Sequence, residues 1–164
     1  MKKIFKPLGF VLLAAFTIIQ FFRPAKNIAS STAYAKDIST IYHVPDNVQG
    51  ILKTSCYDCH SNNTLYPWYA NVQPFAWWLN DHIVEGKREL NFSEFAGYSM
   101  RRKYKKMEEV IDQVDENEMP LSSYTLIHRN AILTKEQKNI LTNWASSIRD
   151  TMKVTFPADS LKRK

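Results

Sequence analysis

The chain has 164 residues, enough for one ordinary domain and too few for two. Only four glycines are present, which excludes long flexible linkers, and the 13% aromatic content suits a packed core. The net charge of +6 suggests a nucleic-acid binder, but residues 1–36 hold six of the 22 basic residues and no acid, leaving 16 to face 16 acids over residues 37–164. The body is neutral, so the basicity belongs to the N-terminal segment and no nucleic-acid partner is expected.

That segment, MKKIFKPLGFVLLAAFTIIQFF, places Lys2, Lys3 and Lys6 before an apolar run from Leu8 to Phe22. A basic start followed by such a run is a targeting signal. Counted from Ile4 the stretch is 19 residues, close to the ~20 that span a bilayer. The pattern Ala33-Tyr34-Ala35 lies 11 residues beyond the run, far for a signal-peptidase site. The expectation is an uncleaved anchor over residues 4–22 in a bacterial inner membrane, N-terminus in the cytoplasm. The alternative is a signal that is cut off. In both cases the body is exported to the periplasm. The expected division is a signal-anchor at 1–24, a polar tether at 25–41, the main domain at 42–154 and a basic tail at 155–164.

Asp46 with Gln49 three residues on reads as a helix start, and Val48, Ile51 and Leu52 share one face up to about Cys56. SNNTLYPWYANVQP after His60 is rich in turn formers and reads as a loop. Residues 74–85 then carry Phe75, Trp78, Leu79 and His82 at helical spacing, with Gly86 as the expected stop. Phe92, Phe95 and Tyr98 recur three apart behind Asn91 or Ser93 as a cap. A basic cluster at 101–106 opens a helix with Met107, Val110, Ile111 and Val114 on its apolar face, ended by the acidic run 115–118 and broken at Met119-Pro120. Its positive charge is either a solvated face or a docking patch for an acidic redox partner. The last helix starts at a Thr134/Gln137 capping box and aligns Ile140, Leu141, Trp144, Ala145, Ile148 and Met152. No run alternates long enough to demand a sheet, so the body is expected to be all-α, with four or five short helices.

Both cysteines lie in one motif, Cys56-Tyr57-Asp58-Cys59-His60. A thioredoxin-like dithiol needs a βαβ context, which the pattern lacks. A structural zinc needs four ligands, usually from two such pairs. Haem attachment uses all three residues: each thiol adds to one vinyl group, and the histidine that follows faces the iron. Haem is therefore the expected cofactor, singly and covalently bound.

A methionine as the other iron ligand favours electron transfer, whereas an open position favours small-molecule binding or activation. Met107 and Met152 lie on apolar faces and read as core. Met119 is pinned by Pro120, whose fixed φ stiffens the loop, and is the expected ligand. His128 is the alternative. His82 reads as a core or propionate-facing residue, and His43 as solvated.

Beyond these residues, ILKTSCYDCHSNNTLYPWY, LNFSEF, EMPLSSYTLIH and a closing helix with Trp144 resemble the haem-binding domain family of small, envelope-located c-type cytochromes. The likeness covers roughly 44–148. It implies one covalent haem c on Cys56 and Cys59, His60 and Met119 on the iron, and a compact cytochrome c-like helical fold. The resemblance fixes the cofactor more than the task; with a methionine on the iron the expected task is electron transfer with redox partners of the envelope, and a haem-based sensor or peroxidase-like enzyme is the alternative. Pro67, Trp68, Tyr69, Phe75 and Trp78 are expected as the apolar haem wall, joined by Tyr124 and His128 of the Y-x-x-x-H motif.

Overall fold

The computed structural model describes residues 2–29 and 35–161, and among these the fold is all-helical, without strands. The helices are α1 (Lys2–Ile19), α2 (Asp46–Ser55), α3 (Tyr57–His60), α4 (Phe75–Glu89), α5 (Met100–Asp115), α6 (Ser122–Thr125), α7 (Lys135–Thr155) and α8 (Ala158–Leu161). Short 3-10 turns at 38–40, 68–71, 92–97 and 129–131 link them.

α5 and α7 carry most of the core. Met107 and Val114 of α5 meet Leu141, Trp144, Ala145, Ile148 and Met152 of α7, and α2 closes the layer with Val48, Ile51 and Leu52. Phe92 and Phe95 fill the space beneath, each fully buried. A buried side chain of this size contributes about 1.5–3 kcal/mol. The capping box that starts α7 is formed in both directions: Gln137 N–H donates to Thr134 Oγ1 at 3.2 Å, and Thr134 N–H to Gln137 Oε1 at 2.9 Å.

Several boundaries differ from the sequence reading. Pro45, not Asp46, holds the cap position of α2, because its fixed φ already ends the extended approach and its carbonyl accepts from Gln49 N–H. Gly86 does not stop α4, which continues to Glu89; the glycine is used for close approach, as described below. The Phe92–Gly97 segment is a 3-10 run, capped by Asn91 as expected. In the basic cluster Arg101, Arg102 and Lys105 stay exposed, while the other two lysines are drawn in. Lys103 is buried, Arg102 lies 3.9 Å over the Tyr98 ring, and Lys106 turns inward to two glutamates. Ser99 caps α5 and offsets the unfavourable charge at its start.

The expected tether is not free over its described part. Asn27 is bonded to Tyr66, Ser61, Thr64 and Lys87, and Ile38 lies fully inside the core. The body therefore starts ahead of Tyr42. Likewise Leu161 in the expected basic tail is buried against the core. Ala33 and Tyr34 of the A-x-A pattern lie outside the described residues, as does the tail beyond 161. No helix among the described residues is long and apolar enough to cross a membrane.

Candidate functional site

The chain kinks at Cys56 (φ −128°, ψ −44°), which closes α2 and opens the single turn α3. The Cys56 carbonyl accepts from both Cys59 N–H at 3.2 Å and His60 N–H at 2.9 Å. One turn thus carries both thiols and the imidazole. α4 crosses this turn at Gly86, where a Cβ would stand 2.7 Å from the Cys59 carbonyl oxygen. Only a residue without a side chain allows helix and turn to touch there.

His60 Nδ1 lies 2.9 Å from the Leu90 carbonyl oxygen. A carbonyl only accepts, so the proton sits on Nδ1 and Nε2 keeps its lone pair. Burial pushes the imidazole below its ordinary value, which keeps it neutral. A neutral, oriented imidazole with a free Nε2 is a metal-ligating geometry.

Met119 is delivered by the end of α5. Asn117 adopts φ 63°, with Asn117 N–H bonded to Val114 O at 3.3 Å and Glu118 N–H to Gln113 O at 2.9 Å, the pairing of a Schellman stop. Met119 N–H also donates to Gln113 O, at 3.0 Å. The strap is therefore tied to the last turn of α5, and Lys138 Nζ bonds to the Asn117 side chain from α7.

Two adjoining cavities, of about 410 and 430 Å³, share Ser55, Cys56, His60, Glu89, Met119 and Pro120 as walls. Each is of ordinary size for a ligand pocket. The first extends along Leu52, Leu90, Phe92, Val110, Val114, Leu133 and Leu141. The second extends along Asp58, Cys59, His82, Gly86, Leu121 and Tyr124. Imidazole, thioether and two thiols thus meet on one largely apolar cleft.

The thiols are poor nucleophiles. Burial, then the neighbouring Cys59, pushes Cys56 up to about 12; burial, then Asp58, pushes Cys59 up to about 11. Both stay protonated at neutral pH, contrary to a thiol-exchange centre. Among the described residues no group of three His, Cys, Asp or Glu side chains is placed to hold a metal ion.

The expected aromatic wall is elsewhere. Of its members only Tyr124 lines the cleft. Pro67, Trp68, Tyr69, Phe75, Trp78 and His128 line neither cavity. Tyr69 and Trp78 form a second small core with Leu79 and Ile83 behind Cys59, while Trp68 and Phe75 are exposed. The cause is the direction of α4, which turns its apolar stripe to the 68–71 turn and not to the cleft. His128 Nε2 is 2.8 Å from Tyr69 OH and its ring stacks on Tyr124 at 4.3 Å, a second-layer position. Tyr124 OH donates to Asp58 Oδ2 at 2.7 Å and so ties the 122–131 segment to the motif turn. The sequence reading missed the actual wall, whose apolar residues read as ordinary core, and missed Lys106, Glu89 and Glu109 at its edge. Lys106 Nζ bonds to Glu109 at 2.5 Å and to Glu89 at 3.3 Å, with only 11% of its side chain exposed.

A small helical domain with a neutral histidine, a strapped methionine and a thiol pair around one apolar cleft belongs to the class that holds an iron macrocycle. The family model described as haem-binding domain matches residues 14–147, and the chain belongs to that family. No curated protein and no solved structure matches the chain.

Proposed function

We propose that the protein is a c-type cytochrome: one haem joined through thioethers to Cys56 and Cys59, held by His60 and Met119, and used to carry single electrons. The observation that carries this reading is the His60 Nδ1–Leu90 contact, which frees Nε2 on the same cleft that Met119 lines. Each S–H adds across one vinyl group, sulfur to one carbon and hydrogen to the other, so attachment needs no oxidant. When bound, the haem supplies a one-electron Fe(III)/Fe(II) couple.

The chain's own contributions follow from the cleft. Leu90 O orients His60 and favours its neutral form. The Schellman stop positions Met119, whose floppy side chain would otherwise sample many rotamers. Leu52, Phe92, Val114 and Leu141 exclude water and tune the potential through a low dielectric. Among the described residues Lys106 is the single cation on the walls, against Asp58, Glu85, Glu89 and Glu109, and it suits a propionate.

On this reading the fold is used as cytochromes c use theirs. The body works in the bacterial periplasm, anchored by residues 4–22, and its partners are redox proteins of the envelope. The exposed apolar side chains of α1, among them Phe10, Leu12, Leu13 and Ile18, suit a lipid surrounding. Protein made in a host with cytochrome c maturation, denatured and assayed as the pyridine haemochrome, should retain one haem per chain. Cys56→Ala and Cys59→Ala should each leave a single thioether. Haem extracted freely by acid acetone would overturn covalent attachment.

A further inference from the structure

We infer that the face around the end of α1 is a membrane-seating surface, with Trp68, Phe75 and Trp77 in the headgroup layer and the Arg23–Lys26 cleft on a lipid phosphate. This rests on the reading of α1 as an anchor and adds how the body stands on the bilayer.

The end of α1 is not hinged. Gln73, fully buried, donates its N–H to Gln20 Oε1 at 2.9 Å and its Nε2 to Phe22 O at 2.7 Å. Trp77 Nε1 donates to the same Phe22 carbonyl at 2.9 Å. Asn27 is then gripped from three sides, by Ser61, Thr64 and Lys87. With α1 as the anchor, a body fixed this way cannot turn the junction face away from the bilayer.

That face is apolar where water would oppose it. Trp68 is 80% exposed and Phe21 82%, with Phe75 and Trp77 also open. All lie within a few residues of the Gln20–Gln73 junction. Tryptophan with its ring in the headgroup layer is the favoured arrangement at a membrane interface. Beside them a small cleft of about 140 Å³ is lined by Arg23, Lys26, Tyr66, Asn71 and Asn80, with no carboxylate among the described residues of its wall. Two cations and two amides suit a phosphate oxyanion. Apolar rim and cationic cleft on one face match a lipid surface and not an apolar protein partner.

The test is flotation and photo-crosslinking of the full chain in vesicles of phosphatidylethanolamine and phosphatidylglycerol. A photo-reactive benzoylphenylalanine replaces Trp68, Phe75 or, as a control, the exposed Val154 of α7. The expected result is flotation with lipid adducts at positions 68 and 75 and none above background at 154. The combined Arg23→Gln and Lys26→Gln variant should cut the adduct yield at 68 severalfold. Flotation without adducts at 68 and 75 overturns the seating but leaves the anchor. Failure to float overturns both. Adducts unchanged in the Arg23/Lys26 variant overturn the phosphate cleft.

Discussion

Gly86 of α4 and Cys59 of the motif turn are in backbone contact: a Cβ on Gly86 would stand 2.7 Å from the Cys59 carbonyl oxygen and 3.0 Å from its Cβ. Gly86→Ala must move the turn that carries both thiols, at about 1–3 kcal/mol of overpacking. Gly50 in α2 has open space around it, so Gly50→Ala should gain about 0.5–1 kcal/mol from helix propensity. Thermal melts should move in opposite directions for the two variants, and haem content should fall in Gly86→Ala alone. A Gly86→Ala protein as stable and as fully loaded as the parent would refute the contact.

Asn117 holds φ 63° and accepts a bond from Lys138. Asn117→Gly should keep the strap, whereas Asn117→Val should cost roughly 1–2 kcal/mol. Because Met119 follows two residues on, the valine variant should also weaken any methionine–iron absorbance. Equal spectra for the two variants would show that Asn117 does not set the strap.

Among the described residues Lys106 stands alone as a cation on the cleft, bridged to Glu89 and Glu109. Lys106→Gln leaves net negative charge near the haem and favours the ferric form. The midpoint potential should fall by about 50 mV, on the order of 1 kcal/mol. Potentiometry giving an unchanged or raised value would contradict the placement.

Burial alone would raise the Glu109 carboxyl, but bonds from Lys106 and Lys105 outweigh it and hold it below the ordinary carboxylate range. A depressed folded value gives stability that is present above the unfolded pKa of about 4.3 and is lost as pH falls through the lower folded value. Urea midpoints should therefore drop more steeply from pH 5 to pH 3 in the parent than in Glu109→Gln. Parallel slopes would show that Glu109 gains nothing from its lysines.

The legible parts of this molecule are those written in periodicity and motif. The α7 stripe and its capping box, the apolar face of α5 and the Cys56–His60 run could all be read directly from the chain. The role of Gly86 is not legible because a glycine that ends a helix and one that admits a neighbour look alike in sequence. The aromatic run 66–78 is near in sequence to Cys59, whereas the direction of α4 sends it behind the turn, which no local pattern reports. The Leu90 carbonyl that orients His60 lies 30 residues away and is a backbone group, so no side-chain pattern reports it. Asn27 and Ile38 lie in a polar stretch without period, and only tertiary contacts draw them into the body.

The measurement closest to the central claim is the optical spectrum of the oxidised and reduced protein, beside that of Met119→Ala. The account predicts a thioether-linked haem with a far-red methionine–iron band in the ferric parent, absent in the variant, and no carbon monoxide binding to the reduced parent. A parent that lacks the band, or binds carbon monoxide readily, would contradict His60–Met119 ligation and move the protein towards sensing or peroxide chemistry.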